Sequence, residues 1–142
     1  MESIEIKLIP KENILVILPL LTELNNYTSK DVLINRIVEM AKQENYTCIG
    51  MYLNNELIGI SGLWFIIRHY CGRTIEPDHV VISSALRNKG LGKLLFEWIY
   101  NYAKKNGYEA SELNTYIGNK KSHTFYEKEG YKKLGFHYLK KF

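Results

Sequence analysis

The sequence has few of the residues that mark a secreted scaffold or a membrane-bound protein. It contains only two cysteines, Cys48 and Cys71, and their spacing fits neither a metal site nor a redox pair. Reduced, buried thiols are therefore expected, and the pattern argues against a disulfide-stabilised secreted domain. No apolar run reaches the roughly 18–20 residues that a membrane-spanning helix needs, so no membrane partner is expected.

The sequence also lacks a secretory signal and a dominant charge. Residues 1–13 have no basic start followed by an apolar core, so a cytoplasmic location is expected. Nineteen lysines and arginines against fifteen acidic residues give a net charge of +4. This excess fits a solvated surface, an anionic small molecule or a nucleic acid. Because no helix clusters arginines in a nucleic-acid-reading arrangement, no nucleic-acid partner is expected.

The alternation of apolar and polar residues predicts a mixed α/β fold in one domain over residues 1–142. A period of two indicates strands near the start of the chain, on both sides of residues 54–55, before residue 83, near residue 110 and at 131–142. Helical periodicity lies between them, with Pro19 expected to kink the first helix. Pro77 is expected to mark an edge strand or a bulge. The predicted order is β-α-α-β-β-β-α-β-α-β.

A glycine-rich junction at residues 83–95, SSALRNKGLGKLL, joins a predicted strand to a long amphipathic helix. The first turn of a helix has backbone N–H groups without internal partners, and the helix dipole adds positive potential there. Gly90 and Gly92 let a phosphate approach the backbone without meeting a Cβ. Arg87, Lys89 and Lys93 add positive charge. The junction indicates either a tight turn or a pocket for a phosphate or pyrophosphate.

Two familiar phosphate-binding motifs do not fit this junction. A P-loop requires GxxxxGK[ST], but Leu94 follows Gly92-Lys93 and Arg87 stands in the place of the first glycine. A dinucleotide-binding fingerprint requires GxGxxG near the first strand, but Leu95 replaces its third glycine and several strands come earlier. Neither class of protein is therefore indicated.

Two motifs together resemble those of the GNAT acyltransferase superfamily. The first is Arg87-x-x-Gly90-x-Gly92, which is similar to the family's loop for the pyrophosphate of acetyl-CoA. The second is NKKSHTFYEKEGY, where Asn119 stands seven residues before Tyr126, as in the family pattern N-x-x-A-x-x-x-Y-x-x-x-G-F. The resemblance covers essentially the whole chain and implies a mostly antiparallel central sheet flanked by helices.

The departures from the family pattern are modest. Ser122 replaces the common alanine, Tyr131 replaces phenylalanine, and Ser84 replaces a common proline before the loop. None of these positions carries the expected chemistry, so the resemblance implies the family's activity for this chain.

The resemblance implies that acetyl-CoA is the acetyl donor. The backbone N–H of Val80 is expected to meet the acetyl carbonyl, and the backbone of Ile82 is expected to run beside the pantetheine arm. Asn119 is expected to hydrogen-bond the donor or an ordered water. The residues expected to contact acetyl-CoA are Val80, Val81, Ile82, Arg87, Asn88, Lys89, Gly90, Leu91, Gly92, Lys93, Asn119, Ser122 and Tyr126.

Acetyl transfer to an amine needs a base for the amine, donors for the oxyanion and an acid for the departing thiolate. The resemblance gives the acid role to Tyr126 and the base role to Glu76. Asp78, Glu112 and a water molecule are alternative bases. Alternation along an extended strand is expected to place residues 76, 78, 80 and 82 on one face and His79 on the other.

The expected reaction is direct attack by the primary amine of a small molecule on acetyl-CoA in a ternary complex. The sequence is most similar to a subgroup that includes aminoalkylphosphonate N-acetyltransferases. Arg68, His69 and Arg73 are either an anion subsite or exposed turn residues. No metal is expected, because no ligand spacing fits one. The alternative function is that of a non-catalytic acyl-CoA-binding sensor or assembly module. The resemblance is also compatible with a homodimer, because relatives often dimerise.

Overall fold

A five-stranded sheet forms the centre of the computed structural model, which describes residues 3–142. The strands lie in the order of the chain. The first four pair antiparallel and the fifth pairs parallel to the fourth. The strands are β1 (Ile4–Ile9), β2 (Tyr46–Leu53), β3 (Glu56–Arg68), β4 (Gly72–Ile82) and β5 (Ala110–Ser111). The predicted mixed, mostly antiparallel α/β fold is confirmed.

Helices cover both faces of the sheet. A 3-10 helix, Lys11–Ile17, continues into α1 (Leu18–Leu24), followed by α2 (Lys30–Lys42), α3 (Leu91–Lys105) and α4 (Lys120–Lys128). Pro19 lies in the first turn of α1, where its missing N–H breaks no helical hydrogen bond. In place of the expected kink, the chain changes at this point from a 3-10 helix to the α-helix α1. No helix within residues 3–142 is long and apolar enough to cross a bilayer.

Two hydrophobic clusters fix the helices on the sheet. On one face the 3-10 helix, α1 and α2 pack on β2 and β4 through residues that include Ile17, Ile37 and Val81. On the other face, α3 buries Leu95 and Ile99 against the sheet. Full burial of such side chains contributes about 1.5–3 kcal/mol each. The packing therefore holds the start of α3 firmly beside the end of β4.

A β-bulge interrupts the alternation of β4 after Asp78. Gly62 pairs with Asp78 and Ile60 with Val81, so two residues of β4 oppose Ser61 alone. His79, in the bulge, has a φ of 37°. Beyond the bulge the faces are exchanged. The expectation that residues 80 and 82 share the face of residues 76 and 78 is therefore wrong.

The final strand predicted at residues 131–142 is wrong for the described chain. Residues 132–142 are exposed and belong to no strand. A strand requires a neighbouring ladder to satisfy its backbone groups, and β5 pairs over only two residues, Ala110 and Ser111. Favourable alternation alone therefore does not produce a strand here.

Candidate active site

The junction between β4 and α3 presents free backbone N–H groups. Asn88 and Gly90 both have left-handed backbones, with φ of 66° and 76°. This turn leads directly into the helix, and Leu94 N–H donates to the Gly90 carbonyl at 3.3 Å. The N–H groups in the first turn of α3, ahead of Leu94, have no carbonyl within the helix to bind. The junction therefore has the geometry of an anion site at a helix N-terminus.

The space above this turn is open. A Cβ added to Gly90 would meet no atom within 4 Å, and one added to Gly92 would lie 3.6 Å from Cζ of Phe125. Lys89 and Lys93 are exposed beside the turn. The backbone of this turn is therefore accessible to a phosphate group, and two exposed lysines stand next to it in the sequence.

Arg87 does not extend freely toward this space. Its guanidinium lies 3.5 Å from Glu23 Oε1 on α1, and its Nε donates to the Ile82 carbonyl at 3.2 Å. Glu23 also accepts from the Ser84 N–H at 3.0 Å. Arg87 thus ties the junction to α1, and no motif in the sequence indicates the partner, Glu23.

An opening separates β4 from β5 beyond their short pairing. The last backbone bond between them runs from Glu112 N–H to the Ile75 carbonyl at 3.1 Å. Farther along β4, Ser83 N–H donates to the Ile58 carbonyl of β3 at 2.7 Å. Because backbone direction alternates along a strand, Val80 and Ile82 direct their backbone groups away from β3. Their N–H and C=O groups therefore face the opening.

The side chains of Val80, Val81 and Ile82 lie on alternate faces of β4. Val80 and Ile82 pack against the α3-side cluster. Val81 is buried in the cluster on the α1 and α2 side, with 4% exposure. Val81 is thus a core residue, and only its neighbours present backbone groups to the opening.

Helix α4 brings Tyr126 to the α3-side cluster. Its ring lies 5.7 Å from that of Phe96 and 5.8 Å from that of Tyr131. Burial, and then the neighbouring Tyr131, raises the pKa of Tyr126 to about 12. Its hydroxyl is therefore protonated at neutral pH. Asn119 caps the start of this helix, and its Oδ1 accepts from the Ser122 N–H at 3.3 Å.

Glu76 belongs to a partly buried network of charges. Its Oε1 lies 3.9 Å from the Arg68 guanidinium, whose Nε donates to Glu112 Oε2 at 3.1 Å. Tyr70 also donates to Glu112. Burial raises the pKa of the Glu76 carboxyl, with Asp78 adding to the rise and Arg68 opposing it. Glu112, with two donors, is committed to structural contacts, whereas Glu76 has one distant cation.

A second polar group surrounds the bulge. Trp64 Nε1 donates to Asp78 Oδ2 at 2.9 Å, and His79 N–H donates to Asp78 Oδ1 at 2.8 Å. The His79 ring is hydrogen-bonded at Nε2 to Tyr46 Oη at 2.7 Å. A Cβ on Gly62 would lie only 2.2 Å from His79 Nε2, so this glycine makes room for the ring.

The expectation that His79 lies on the face opposite Asp78 is wrong, because the bulge turns its ring toward Tyr46 and Trp64. Burial lowers the pKa of His79, and its Nδ1 is buried without a partner among the described residues. Only Pro77 hinted at the bulge in the sequence. Sequence reasoning missed Tyr46 and Trp64 as partners because aromatic residues in strands usually indicate core packing.

Two tyrosines meet at the surface near Asp78. Tyr27, between α1 and α2, and Tyr116, between β5 and α4, approach to 3.3 Å between their hydroxyl oxygens. This hydrogen bond raises the pKa of Tyr116, and the charge of Asp78 adds to the rise. The loops on the two sides of the sheet edge are thereby connected, and neither tyrosine stands in a sequence motif.

Comparison with known proteins agrees with this architecture. The family model for the acetyltransferase (GNAT) family matches residues 17–131. An aminoalkylphosphonate N-acetyltransferase of Salmonella typhimurium is 31% identical over 88 residues, which are 61% of this chain and 57% of that protein. The matched region thus spans less than two thirds of that relative.

Solved structures share the fold over nearly their whole length. An aminoglycoside N-acetyltransferase in complex with CoA superposes with a TM-score of 0.84 at 12% identity, covering 99% of this chain and 95% of that one. A ribosomal-protein-alanine N-acetyltransferase of Brucella melitensis gives 0.82 at 18% identity, with 99% of both chains covered. At these identities the likeness concerns the fold.

The fold, with its open β4 edge and free helix N-terminus, is that of an acyl-donor-binding α/β protein. The chain belongs to the acetyltransferase (GNAT) family, whose acetyl donor is acetyl-CoA. Within that family it resembles the aminoalkylphosphonate N-acetyltransferases.

Proposed function

We propose that this protein is an N-acetyltransferase that transfers the acetyl group of acetyl-CoA to the primary amine of a small molecule. The observation that carries this proposal is the opening beside β4. Val80 and Ile82 present backbone groups there. The opening begins beside β5, and the chain runs from β5 to the helix that carries Tyr126. Glu76 lies on β4, before Val80 and Ile82. A candidate donor-binding strand edge, a protonated tyrosine and a carboxyl group thus belong to neighbouring elements.

The donor is held mainly by backbone. The first-turn N–H groups at Leu91, Gly92 and Lys93 bind the pyrophosphate, with Asn88 shaping the turn and Lys89 adding charge. Val80 and Ile82 bind the pantetheine arm as a further strand would be bound. Arg87 acts through its ion pair with Glu23, which holds the loop in place. Asn119 and Ser122 contribute by starting α4.

The reaction proceeds by direct attack in a ternary complex. Glu76 accepts the proton of the ammonium group, directly or through water, and the neutral amine nitrogen attacks the thioester carbonyl carbon. The Val80 N–H stabilises the oxyanion. The C–S bond then breaks, and the Tyr126 hydroxyl gives its proton to the departing sulfur. Once bonded to the carbonyl carbon, the nitrogen loses its second proton to solvent. The products are the acetylated amine and CoA; Glu76 returns its proton to solvent and Tyr126 regains one, so that one proton is released per turnover.

The acceptor is a small primary amine that approaches the Glu76 side of β4. Glu76, Asp78 and Glu112 give this region carboxylates that attract an ammonium group. Arg68 is engaged by two of them, and the Arg73 guanidinium lies 4.8 Å from the centre of the Tyr108 ring. The Salmonella relative supports an aminoalkylphosphonate as the first acceptor to test.

A thiol-release assay tests the activity. The protein is incubated with acetyl-CoA and a panel of aminoalkylphosphonates, diamines, aminoglycosides and peptides, and free CoA thiol is measured. Amine-dependent release supports the transferase. Tight CoA binding without release from any acceptor would favour the alternative, a non-catalytic sensor, and turnover of peptides alone would overturn the small-molecule assignment.

Gly92→Ala is expected to weaken acetyl-CoA binding without harming the fold. The new Cβ meets only Phe125, at 3.6 Å, and alanine favours a helix over glycine by about 0.8–1.0 kcal/mol. The melting temperature should hold or rise. The KM for acetyl-CoA should rise about tenfold, because the methyl group stands where a phosphate approaches. Steady-state kinetics and thermal unfolding measure both effects.

Gly118→Ala serves as the control, since a Cβ there meets no atom within 4 Å and lies outside the junction. Its KM for acetyl-CoA should stay unchanged. If Gly92→Ala also left the KM unchanged, the junction would not be the pyrophosphate site.

A further inference from the structure

The side chains of Tyr27 and Tyr116 form a strap across the opening beside β4. Tyr27 follows α1, which packs on the face of the sheet that buries Val81. Tyr116 lies in residues 112–119, which lead from β5 to α4 on the opposite face. The two hydroxyl oxygens are 3.3 Å apart. A contact between loops on opposite faces has to pass over the edge of β4 beyond its short pairing with β5.

Hydrogen bonds within each loop hold the two halves of the strap in place. Asn25 Oδ1 accepts from the Thr28 N–H at 3.1 Å, which closes a turn around Tyr27. The carbonyl of Tyr116 accepts from the Nε2–H of His123 on α4 at 2.9 Å. Because both tyrosines stand on restrained turns, their contact costs less conformational entropy than a contact between two free loops.

The segment that carries Tyr116 is also tied at its start. Arg68, at the end of β3, donates from Nε to Glu112 Oε2 at 3.1 Å. Between the two ties, Leu113 packs against the α3-side cluster. The stretch from Glu112 to Tyr116 is therefore a wall along the opening, fastened at one end to β3 and at the other end to Tyr27.

The two ties frame a narrow window over the opening. Tyr116 is four residues after Glu112, and an extended chain of that length spans at most about 14 Å. Glu76 stands near one end of the window, 3.9 Å from the Arg68 guanidinium. The charge of Asp78 reaches Tyr116 at the other end. An acceptor has to pass this window to bring its nitrogen between Glu76 and the bound donor.

We propose that Tyr27 and Tyr116 are specificity-determining residues, whose hydrogen bond limits the acceptors to slim amines that carry the amino group at the end of an unbranched chain. This inference rests on the proposed function. A slim amine passes the closed window, whereas an amine on a ring system or a folded peptide passes only when the strap is open. The apparent affinity for a bulky amine is therefore reduced by the fraction of molecules that are open.

Removing one hydroxyl tests the strap. In Tyr27→Phe, kcat/KM for an aminoglycoside should rise about two- to tenfold, the change that loss of one ordinary hydrogen bond allows. The values for a short aminoalkylphosphonate and for acetyl-CoA should not change. Tyr116→Phe should give the same result. Tyr52→Phe is the matched control, because Tyr52 lies on β2, where Lys7 Nζ is 4.9 Å from its ring centre, and it should change neither value.

The double variant separates a strap from two independent obstacles. If the bond closes the window, Tyr27→Phe with Tyr116→Phe should equal either single variant, because the second change removes nothing further. Effects that multiply in the double variant would overturn the strap and leave the transferase intact. The same holds if the single variants keep the wild-type ratio of bulky to slim amine. Absence of thiol release with every amine would instead overturn the proposed function, and this inference with it.

A titration of the free protein tests the bond without catalysis. The hydrogen bond with Tyr27 is the largest cause of the raised pKa of Tyr116. In protein labelled at the tyrosine ring carbons, the NMR signal of Tyr116 should therefore titrate at lower pH in Tyr27→Phe than in the wild type. Tyr52→Phe should leave the titration of Tyr116 unchanged. An unchanged pKa of Tyr116 in Tyr27→Phe would show that the strap does not form.

Discussion

Tyr126→Phe is expected to lower turnover about a hundredfold while leaving the KM for acetyl-CoA within about twofold, since a positioned acid contributes 10²–10⁴ in rate. The change removes one oxygen and keeps the ring that packs against Phe96, Phe125 and Tyr131. The fold is therefore preserved. Without the hydroxyl, the thiolate must depart unprotonated. Steady-state kinetics with a saturating amine measure the loss.

The pH profile gives this prediction a second readout. Because burial raises the pKa of Tyr126 to about 12, the wild-type enzyme should keep its acid protonated far above neutral pH. The rate should therefore show no alkaline fall near the ordinary tyrosine pKa of about 10.

Tyr102→Phe is the matched control. Tyr102 packs in the same cluster and stacks on Trp98 at 5.2 Å. Loss of its hydroxyl should leave turnover unchanged. Full turnover in Tyr126→Phe across the pH range would remove the acid role from this residue.

The fold and the glycine-containing turn before α3 could be predicted because their signals are local. Gly90 and Gly92 stand where the backbone carries no side chain. The apolar stripe that contains Leu95 and Ile99 defines α3 without knowledge of its partners. Residues five or fewer positions apart decide these features. The family motifs added the identity of the donor, which the glycines alone left open.

The bulge could not be predicted from such local signals. One extra residue in β4 moves Val80 and Ile82 to the other face and brings His79 beside Asp78. This depends on the pairing of β4 with β3 and on the room that Gly62 leaves for the imidazole ring. Period-two reasoning assumes an unbroken strand, so every face assigned after Asp78 was reversed.

The C-terminal strand failed for a related reason. Leu134, Phe136 and Tyr138 have the alternation of a strand, but a strand exists only with a partner. The alternation therefore does not produce a strand by itself, because no ladder among residues 3–142 pairs with the segment.

Glu76→Gln is expected to lower turnover about a hundredfold at neutral pH and to abolish the acidic fall of the pH profile. Glu76 must be ionised to accept the ammonium proton, so activity falls as pH drops through its pKa. An exposed glutamate has a pKa near 4.3. Burial raises the pKa of Glu76, so the fall in activity lies at higher pH than it would for an exposed glutamate. Glutamine keeps the shape but accepts no proton. Kinetics over a pH series measure both effects.

Glu112→Gln separates the base from its neighbour. Both carboxylates contact Arg68, but Glu112 is held by Arg68 and Tyr70. Its replacement should leave the acidic fall in place and cost stability through lost hydrogen bonds. If Glu112→Gln removed the acidic fall and Glu76→Gln kept it, the base assignment would pass to Glu112.

Stability should move in the opposite direction to activity in Glu76→Gln. A carboxyl whose pKa is higher in the folded state than in the unfolded state favours folding when protonated. That contribution is complete below the unfolded pKa and is lost as pH rises through the folded pKa. At neutral pH the ionised Glu76 therefore lowers the free energy of unfolding, and only a 3.9 Å contact with Arg68 offsets this loss. Glutamine should unfold at an equal or higher temperature, and loss of activity without loss of stability distinguishes a base from a structural residue.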